Sequence, residues 1–444
     1  MKSLILSAVT AMAITTTLGA DELSDLKAQL KILSDRLSTL EANEKKQAEQ
    51  TDALTSELIN VQNQTSFTTV DASKGLYGMG PSASKVYYSK NPLSIGGYGE
   101  LYYSKYNHDG KDTGSKDAYG DTYRFIPYIG YKFSDNIILN SEIEFEHGNE
   151  VWIEQLYVDF IHNQSATLRV GDQIVPMGYT NLYHEPTLFN TVQRPDVEKQ
   201  LIPSTWHELG VSVYGQTSDF WYQIGAFTAL DMNHPTSGAY GSNEVASSNT
   251  SPENWIRKAR VGAESDKGID NIAVVARLDY NGINGLQVGA SAYTGKAGNP
   301  RLGNKEEGQM TMFDVHAKYQ SGGFTARALY TQSHLTNAGD YNESMPESAR
   351  GGYVNLEYNI MPFLTSSTDR MPIFFQYENY NLATKMANGG SFGRTESYTY
   401  GLNYFPHDQV VLKAEYLNRK NKNSTVTTKY IDEGIYSFGL GFIF

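Results

Sequence analysis

From Leu93 onward, apolar and polar positions alternate with a period of two, as in strands with one face in an apolar medium and the other in water. Sixteen such segments can be laid down, the first over 93–108 and the last over 430–444. In 125–133, Phe125, Pro127, Ile129, Tyr131 and Phe133 share a side, and in 354–360 Val354, Leu356, Tyr358 and Ile360 do the same. Residues 22–62 follow a different rule. Leu23, Leu26, Leu30, Leu33, Leu37 and Leu40 are spaced by three and four in turn; the register passes through Glu44, Gln47 and Thr51 and resumes at Leu54, Leu58 and Val61. Such an a/d seam predicts a helix that buries its stripe against further helices, hence a coiled coil over 21–62. Residues 63–92 are rich in Ser, Thr, Gly and Lys without a period, which predicts a linker into a strand domain over 93–444.

The connections between segments alternate in length. The short ones fall at 134–136, 164–165, 217–218, 282–284, 321–322 and 407–408, with 361–370 a longer exception. The long ones cover 109–120, 179–206, 231–270, 298–308, 336–349, 385–392 and 422–429, and the connection near Asn149 is short. Tight turns at one end and long loops at the other are the pattern of outer-membrane barrels. The chain is therefore expected to be all-β: a 16-stranded antiparallel transmembrane β-barrel in a bacterial outer membrane, preceded by a short α-helical coiled coil. The final segment sets Tyr436, Phe438, Leu440, Phe442 and Phe444 on one face, which resembles the signal read by barrel assembly machinery. That machinery and outer-membrane lipid are the expected partners of biogenesis and residence.

Composition narrows the alternatives. The 444 residues include 32 Tyr, 18 Phe, 40 Gly and no Cys, and carry a net charge of −13. Nothing after residue 20 approaches the ~18 apolar residues of a spanning helix, so a helical membrane protein is excluded. The lack of Cys excludes a disulfide scaffold, a thiolate zinc centre and a Cys nucleophile, and the acidic balance argues against nucleic acid as a partner. Residues 1–20 read as a signal peptide, with Lys2, an apolar run from Leu4 to Ile14, and Leu18-Gly19-Ala20 before the expected cleavage.

One stretch is more specific. Ser94-Ile95-Gly96-Gly97-Tyr98-Gly99-Glu100-Leu101 and Glu150-Val151-Trp152-Ile153-Glu154-Gln155-Leu156-Tyr157-Val158-Asp159-Phe160 are followed by Val175-Pro176-Met177-Gly178 and Tyr183-His184-Glu185-Pro186. Phe189-Asn190, Arg194-Pro195, Ile202-Pro203-Ser204-Thr205-Trp206 and Glu208-Leu209-Gly210 complete the series. This resembles the phosphate-selective porin O and P family, closely over about 93–230 and by architecture beyond. The resemblance implies a homotrimeric, water-filled porin for passive diffusion of small hydrophilic solutes or ions. The coiled coil ahead of the barrel also looks like that of certain dicarboxylate-type and siderophore porins. An anion- or phosphate-specific channel and a plug-less siderophore porin are the alternatives it leaves.

Strand parity points Arg124, Lys132, Glu142, Glu144, Glu146, Glu154, Arg169, Arg277, Arg327 and Lys413 into the pore. Adding Glu100, Glu150, Glu208, Asp279, Asp314, Lys318, Glu357, Glu378, Glu415 and Arg419 gives eight basic against twelve acidic inward residues. A phosphate path needs cations to replace the anion's hydration, and no arginine ladder is present. A nonspecific or weakly cation-preferring pore follows. Glu142, Glu144 and Glu154 are expected to pair with Arg124, Lys132 and Arg169. Loop 179–206, the third long connection, is the expected constriction, because in porins resembling this one that loop folds into the lumen. Its His184, Glu185, Arg194, Asp196, Glu198 and Lys199 carry opposite signs that can set up a transverse field. Trp152 and Trp221 fall on the inward face, whereas Trp206, Tyr103, Tyr131, Tyr319, Tyr358 and Tyr404 read as interface aromatics. No metal-ligand spacing, phosphate loop or nucleophile elbow occurs. Ser141 and His147 share a wall without further support for hydrolysis, so neither a cofactor nor an enzyme is expected.

Overall fold

The computed structural model describes residues 20–65, 68–76, 78–108, 118–232, 255–263, 271–298, 307–422 and 432–444. Residues 1–19 of the expected signal peptide lie outside the described set. The chain divides into two compact units, Met1–Ser66 and Phe67–Phe444. In the first, helix α1 runs over Ala20–Thr65 without interruption. Its Leu26, Leu30, Leu33, Leu37, Leu40 and Leu54 are all exposed, from 41% to 63%. One copy of the helix thus leaves the heptad stripe in water.

The second unit is a closed barrel of sixteen strands. They are β1 Leu93–His108, β2 Ala118–Ser134, β3 Ile137–Glu146, β4 Glu150–Asn163, β5 Ala166–Ile174, β6 His207–Gln216, β7 Phe220–Thr228 and β8 Ile272–Ile283. The series continues as β9 Leu286–Lys296, β10 Gln309–Ser321, β11 Phe324–Leu335, β12 Pro346–Asn359, β13 Pro372–Met386, β14 Arg394–His407, β15 Val410–Lys422 and β16 Glu433–Ile443. Neighbours in sequence are neighbours in the sheet, and β1 closes antiparallel on β16. Closure leaves no edge strand, which is what hydrocarbon demands of a sheet. The odd-numbered side chains of the 125–133 segment face out: Phe125, Ile129, Tyr131 and Phe133 are 38% to 61% exposed, while Ile126 and Tyr128 are buried inside. An apolar belt of this extent needs an apolar surrounding.

Parity fails at one informative place. Between β3 and β4 the register shifts, with Glu142 opposite Gln155 and Ile143 opposite Ile153. Glu154 is the extra residue of this bulge, and both Glu154 and Gln155 are buried. Bulges re-aim side chains in this way.

The lumen is filled from both ends. On the long-loop side, residues 229–232 and 255–261 pack Leu230, Met232, Trp255 and Ile256 against Trp206, Met310, Met312, Met345 and Leu382 in one apolar cluster. On the short-turn side, residues 68–92 do not act as the expected linker. Val70, Met79 and Ala83 pack on Tyr98, Ile126, Tyr128 and Ile443 inside the barrel, and a short helix α2, Lys85–Tyr88, lies against the same wall. Two glycines explain the close approach. A Cβ on Gly130 of β2 would stand 2.5 Å from the Val86 side chain, and one on Gly80 would stand 2.5 Å from the Glu185 carboxyl.

Candidate functional site

The chain from β5 to β6 crosses the lumen, and buried polar groups hold each part of it. Its entry turns at Gly178, whose φ of 74° suits a residue without a Cβ. The Gly178 N–H donates to Asp314 at 2.9 Å and its carbonyl accepts from Arg277. The Glu198 carboxylate then accepts the N–H groups of Tyr179, Thr180 and Asn181 and the Tyr353 hydroxyl at 2.7 Å. Successive N–H groups of this kind form an anion nest, here filled by the protein's own carboxylate. Further along, Lys413 donates to the carbonyls of Phe189 and Thr191, both at 2.9 Å. Glu415 accepts from Val192 N–H at 2.8 Å. Glu378 accepts from the N–H of Val197 at 2.9 Å, within the short helix α3, Asp196–Gln200. Asp196 meets Arg419 at 2.6 Å and Lys199 at 2.9 Å.

Against β1–β4 the loop meets a dense charged group. His184 Nε2 lies 3.1 Å from Glu142, and Arg194 donates to the Tyr98 hydroxyl at 3.0 Å. Arg124 lies among three carboxylates: Glu146 at 3.0 Å, Glu144 at 3.2 Å and Glu100 at 3.8 Å. Glu142 also accepts from Gln155. Apart from Glu146, these groups and Glu154 are all buried. Among the described residues, Glu154 Oε2 and both Arg194 Nε and Nη1 have no hydrogen-bond partner, while Glu100 Oε1, Glu144 Oε1 and Arg124 Nε meet only in ion pairs without hydrogen-bond geometry. Buried polar atoms are rarely left so, and here they gather at one level of the barrel. Burial works against charging His184, but Glu142 more than offsets it and raises its pKa.

The six expected constriction residues do not form two facing rows. His184 and Arg194 join the β1–β4 group, Asp196 and Lys199 tie the loop to β15, and Glu198 organises the loop's own start. Glu185 grips the N-terminal segment, accepting from Ser82 N–H at 2.9 Å and Ala83 N–H at 3.0 Å. Burial pushes the Glu185 carboxyl up to about 7 despite those two bonds. Because its folded pKa lies above the unfolded one, its contribution to stability is full below about 4.5 and is lost as pH rises through about 7. Glu185→Gln, which keeps one acceptor oxygen, is expected to match the wild type in denaturant unfolding at about pH 4. At pH 8 it should exceed the wild type by about 3 kcal/mol.

The expected wall pairs are also rearranged. Arg124 does pair with Glu144, but Arg169 binds Asp159 at 2.8 Å, and among the described residues Lys132 forms no ion pair with an acid. Lys132 donates to the carbonyls of Tyr87 at 3.2 Å and Ser89 at 2.7 Å. Arg277 pairs with Asp279 at 3.0 Å and Arg327 with Glu357 at 3.1 Å. Trp206 is fully buried and bonds Glu208, so it is no interface aromatic. Trp221 faces inward against Gly78. Ser141 donates to the Ile129 carbonyl, while His147 meets Asp121 at 2.6 Å, so the two share no hydrogen bond.

Sequence reasoning missed a cavity of about 670 Å³ on the short-turn side, lined by Ala72, Ser73, Gly75, residues 78–81 and by Tyr179, Tyr183, Gln287, Lys318, Arg327 and Glu357 among others. Among the described residues Lys318 has no hydrogen bond or ion pair, which leaves one ammonium facing this space.

Residues 115–444 match the family profile described as phosphate-selective porin O and P. An uncharacterized protein of Aquifex aeolicus (strain VF5) is 30% identical over 400 residues, spanning 84% of this chain and 85% of that one. Among solved structures, the anion-selective porin from Comamonas acidovorans aligns with a TM-score of 0.52 at 12% identity, over 79% of this chain and 99% of that one. Salmonella typhi OmpF in complex with daunomycin gives a TM-score of 0.52 at 12% identity, over 79% and 97%. At such identities the two structures speak to the fold alone.

Proposed function

The chain belongs to the phosphate-selective porin O and P family, and from that premise we propose that this outer-membrane channel passes small hydrophilic solutes passively, without preference for phosphate. The observation that carries this reading is the charge at the waist. Glu100, Glu142, Glu144, Glu146 and Glu154 gather there around two guanidinium groups, Arg124 and Arg194, and one imidazole. An anion reaching that level finds five carboxyl groups, four of them buried in the wall, against three cationic side chains that are already engaged by Glu142, Glu144, Glu146 and Tyr98, the reverse of what anion selection requires. Loop 179–206 is the constriction in this reading, and its mixed charges act through their anchoring as much as through contact with solute. The exposed leucines of α1 support self-association, and a homotrimer joined by a periplasmic coiled coil is the arrangement proposed, because an a/d stripe is stable only when partnered.

One observation favours a second reading, an anion-specific channel. Lys318 faces the large cavity beside the Arg327–Glu357 pair, leaving a single positive charge in excess there. Titration of phosphate into KCl during single-channel recording separates the two. Unchanged current at millimolar phosphate is expected, and a saturable block would favour the second.

A further inference from the structure

Resting on the channel reading, we propose that Ala72, Ser73, Gly75 and residues 78–81 form a size-determining wall of the solute path: the N-terminal segment, pinned across the β1–β4 side of the lumen, sets the aperture of the short-turn half.

The segment is fastened by bonds from many elements. The Ser82 hydroxyl donates to the carbonyls of Gly97 at 2.9 Å and Phe444 at 3.0 Å, bridging the β1–β16 seam. Asn140 of β3 donates to the Ala83 carbonyl at 3.2 Å, and the Tyr87 hydroxyl donates to Asp159 of β4 at 2.6 Å. Lys132 of β2 holds two further carbonyls, and Glu185 holds two N–H groups from the loop side. These partners lie on β1–β4, β16 and the loop. The cavity of about 670 Å³ lies on the other side, against β6–β12 and beneath Tyr179 and Tyr183. Between the two stands the edge of the segment itself, made of Ala72, Ser73, Gly75, Gly78, Met79, Gly80 and Pro81.

Apart from Met79, which packs in the apolar cluster with Val70, Ala83 and Tyr98, that edge carries almost no side-chain volume. Gly78 and Gly80 are required by close approach to Trp221 and to Glu185, each 2.5 Å from an added Cβ. Ala72 is only partly buried, packing beside the Val70–Met79–Tyr98 cluster while bordering the cavity. The width of the cavity at this level is therefore set by backbone position and by the smallness of the edge residues. Lys132 has an unusual task for a basic lumenal residue: its ammonium is spent on carbonyls of the segment, so it holds the wall rather than meeting solute.

Two variants test the assignment from opposite directions, with conductance in planar bilayers and the swelling rate of liposomes in graded neutral sugars as readouts. Ala72→Trp places an indole on the cavity edge and is expected to cut conductance about twofold and to lower the sugar size limit, since flux follows pore width. Lys132→Met frees the Tyr87 and Ser89 carbonyls and is expected to raise conductance and admit larger sugars. Lys90→Trp, exposed and away from the cavity, is the control expected to match the wild type. If Ala72→Trp and Lys132→Met both conduct and sieve like the wild type, the segment is not a wall of the path. A folded wild-type barrel without any conductance would instead overturn the channel reading beneath the proposal.

Discussion

Replacing Glu198 with alanine is expected to raise single-channel conductance several-fold while leaving the barrel folded. The carboxylate is fully buried and accepts three successive backbone N–H groups and the Tyr353 hydroxyl. With the Thr180 hydroxyl, which also donates to it, its removal orphans five donors at about 1–3 kcal/mol each, a cost concentrated on residues 179–181 where the loop enters the lumen. Loop residues 189–197 keep their bonds to Lys413, Glu415 and Glu378, so the entry turn should move first and widen the waist on its β10–β12 side. Barrel strands pair independently of Glu198, and heat-modifiable migration in gels should persist. A folded Glu198→Ala barrel with wild-type conductance would show that the loop's position does not limit flux.

Arg124→Met should increase cation preference and lower stability together. Arg124 is the single cation among Glu100, Glu144 and Glu146. Removing one partner of a buried ion pair costs on the order of 3–5 kcal/mol, readable as an earlier denaturant midpoint. The same change removes the one cation that Glu100, Glu144 and Glu146 share, so the field at this level becomes more negative and the reversal potential in a KCl gradient should move toward the potassium limit. A shift toward chloride would place the solute path away from this group.

Much of the fold was legible because a barrel wall repeats one simple rule. Phe125 to Phe133 alternate out and in as written, and the strands fall in the expected order because each outward face must be apolar over its whole length. The heptads likewise predict α1, since their spacing needs only a helix. The lumen obeys no such rule. Glu154 enters it through a bulge, and a register shift leaves no mark on composition. Residues 68–92 lack periodicity because they are held by single bonds to Glu185, Lys132 and Asp159 rather than by a repeating face. For the same reason the count of inward acids overstated the free negative charge. Glu208, Glu378 and Glu415 are committed to backbone N–H groups of the lumenal chain. A signal was present at Gly78 and Gly80, two glycines in a stretch rich in small residues, but small residues mark linkers and tightly packed chain alike.

The central claim is that the waist, with its surplus of carboxylates, governs what passes. The reversal potential of the wild-type channel in a planar bilayer under a KCl gradient tests it most directly. A potential on the potassium side, or near zero with open conductance, is the predicted result. A potential on the chloride side would contradict the account and point to the Lys318 cavity as the selecting site.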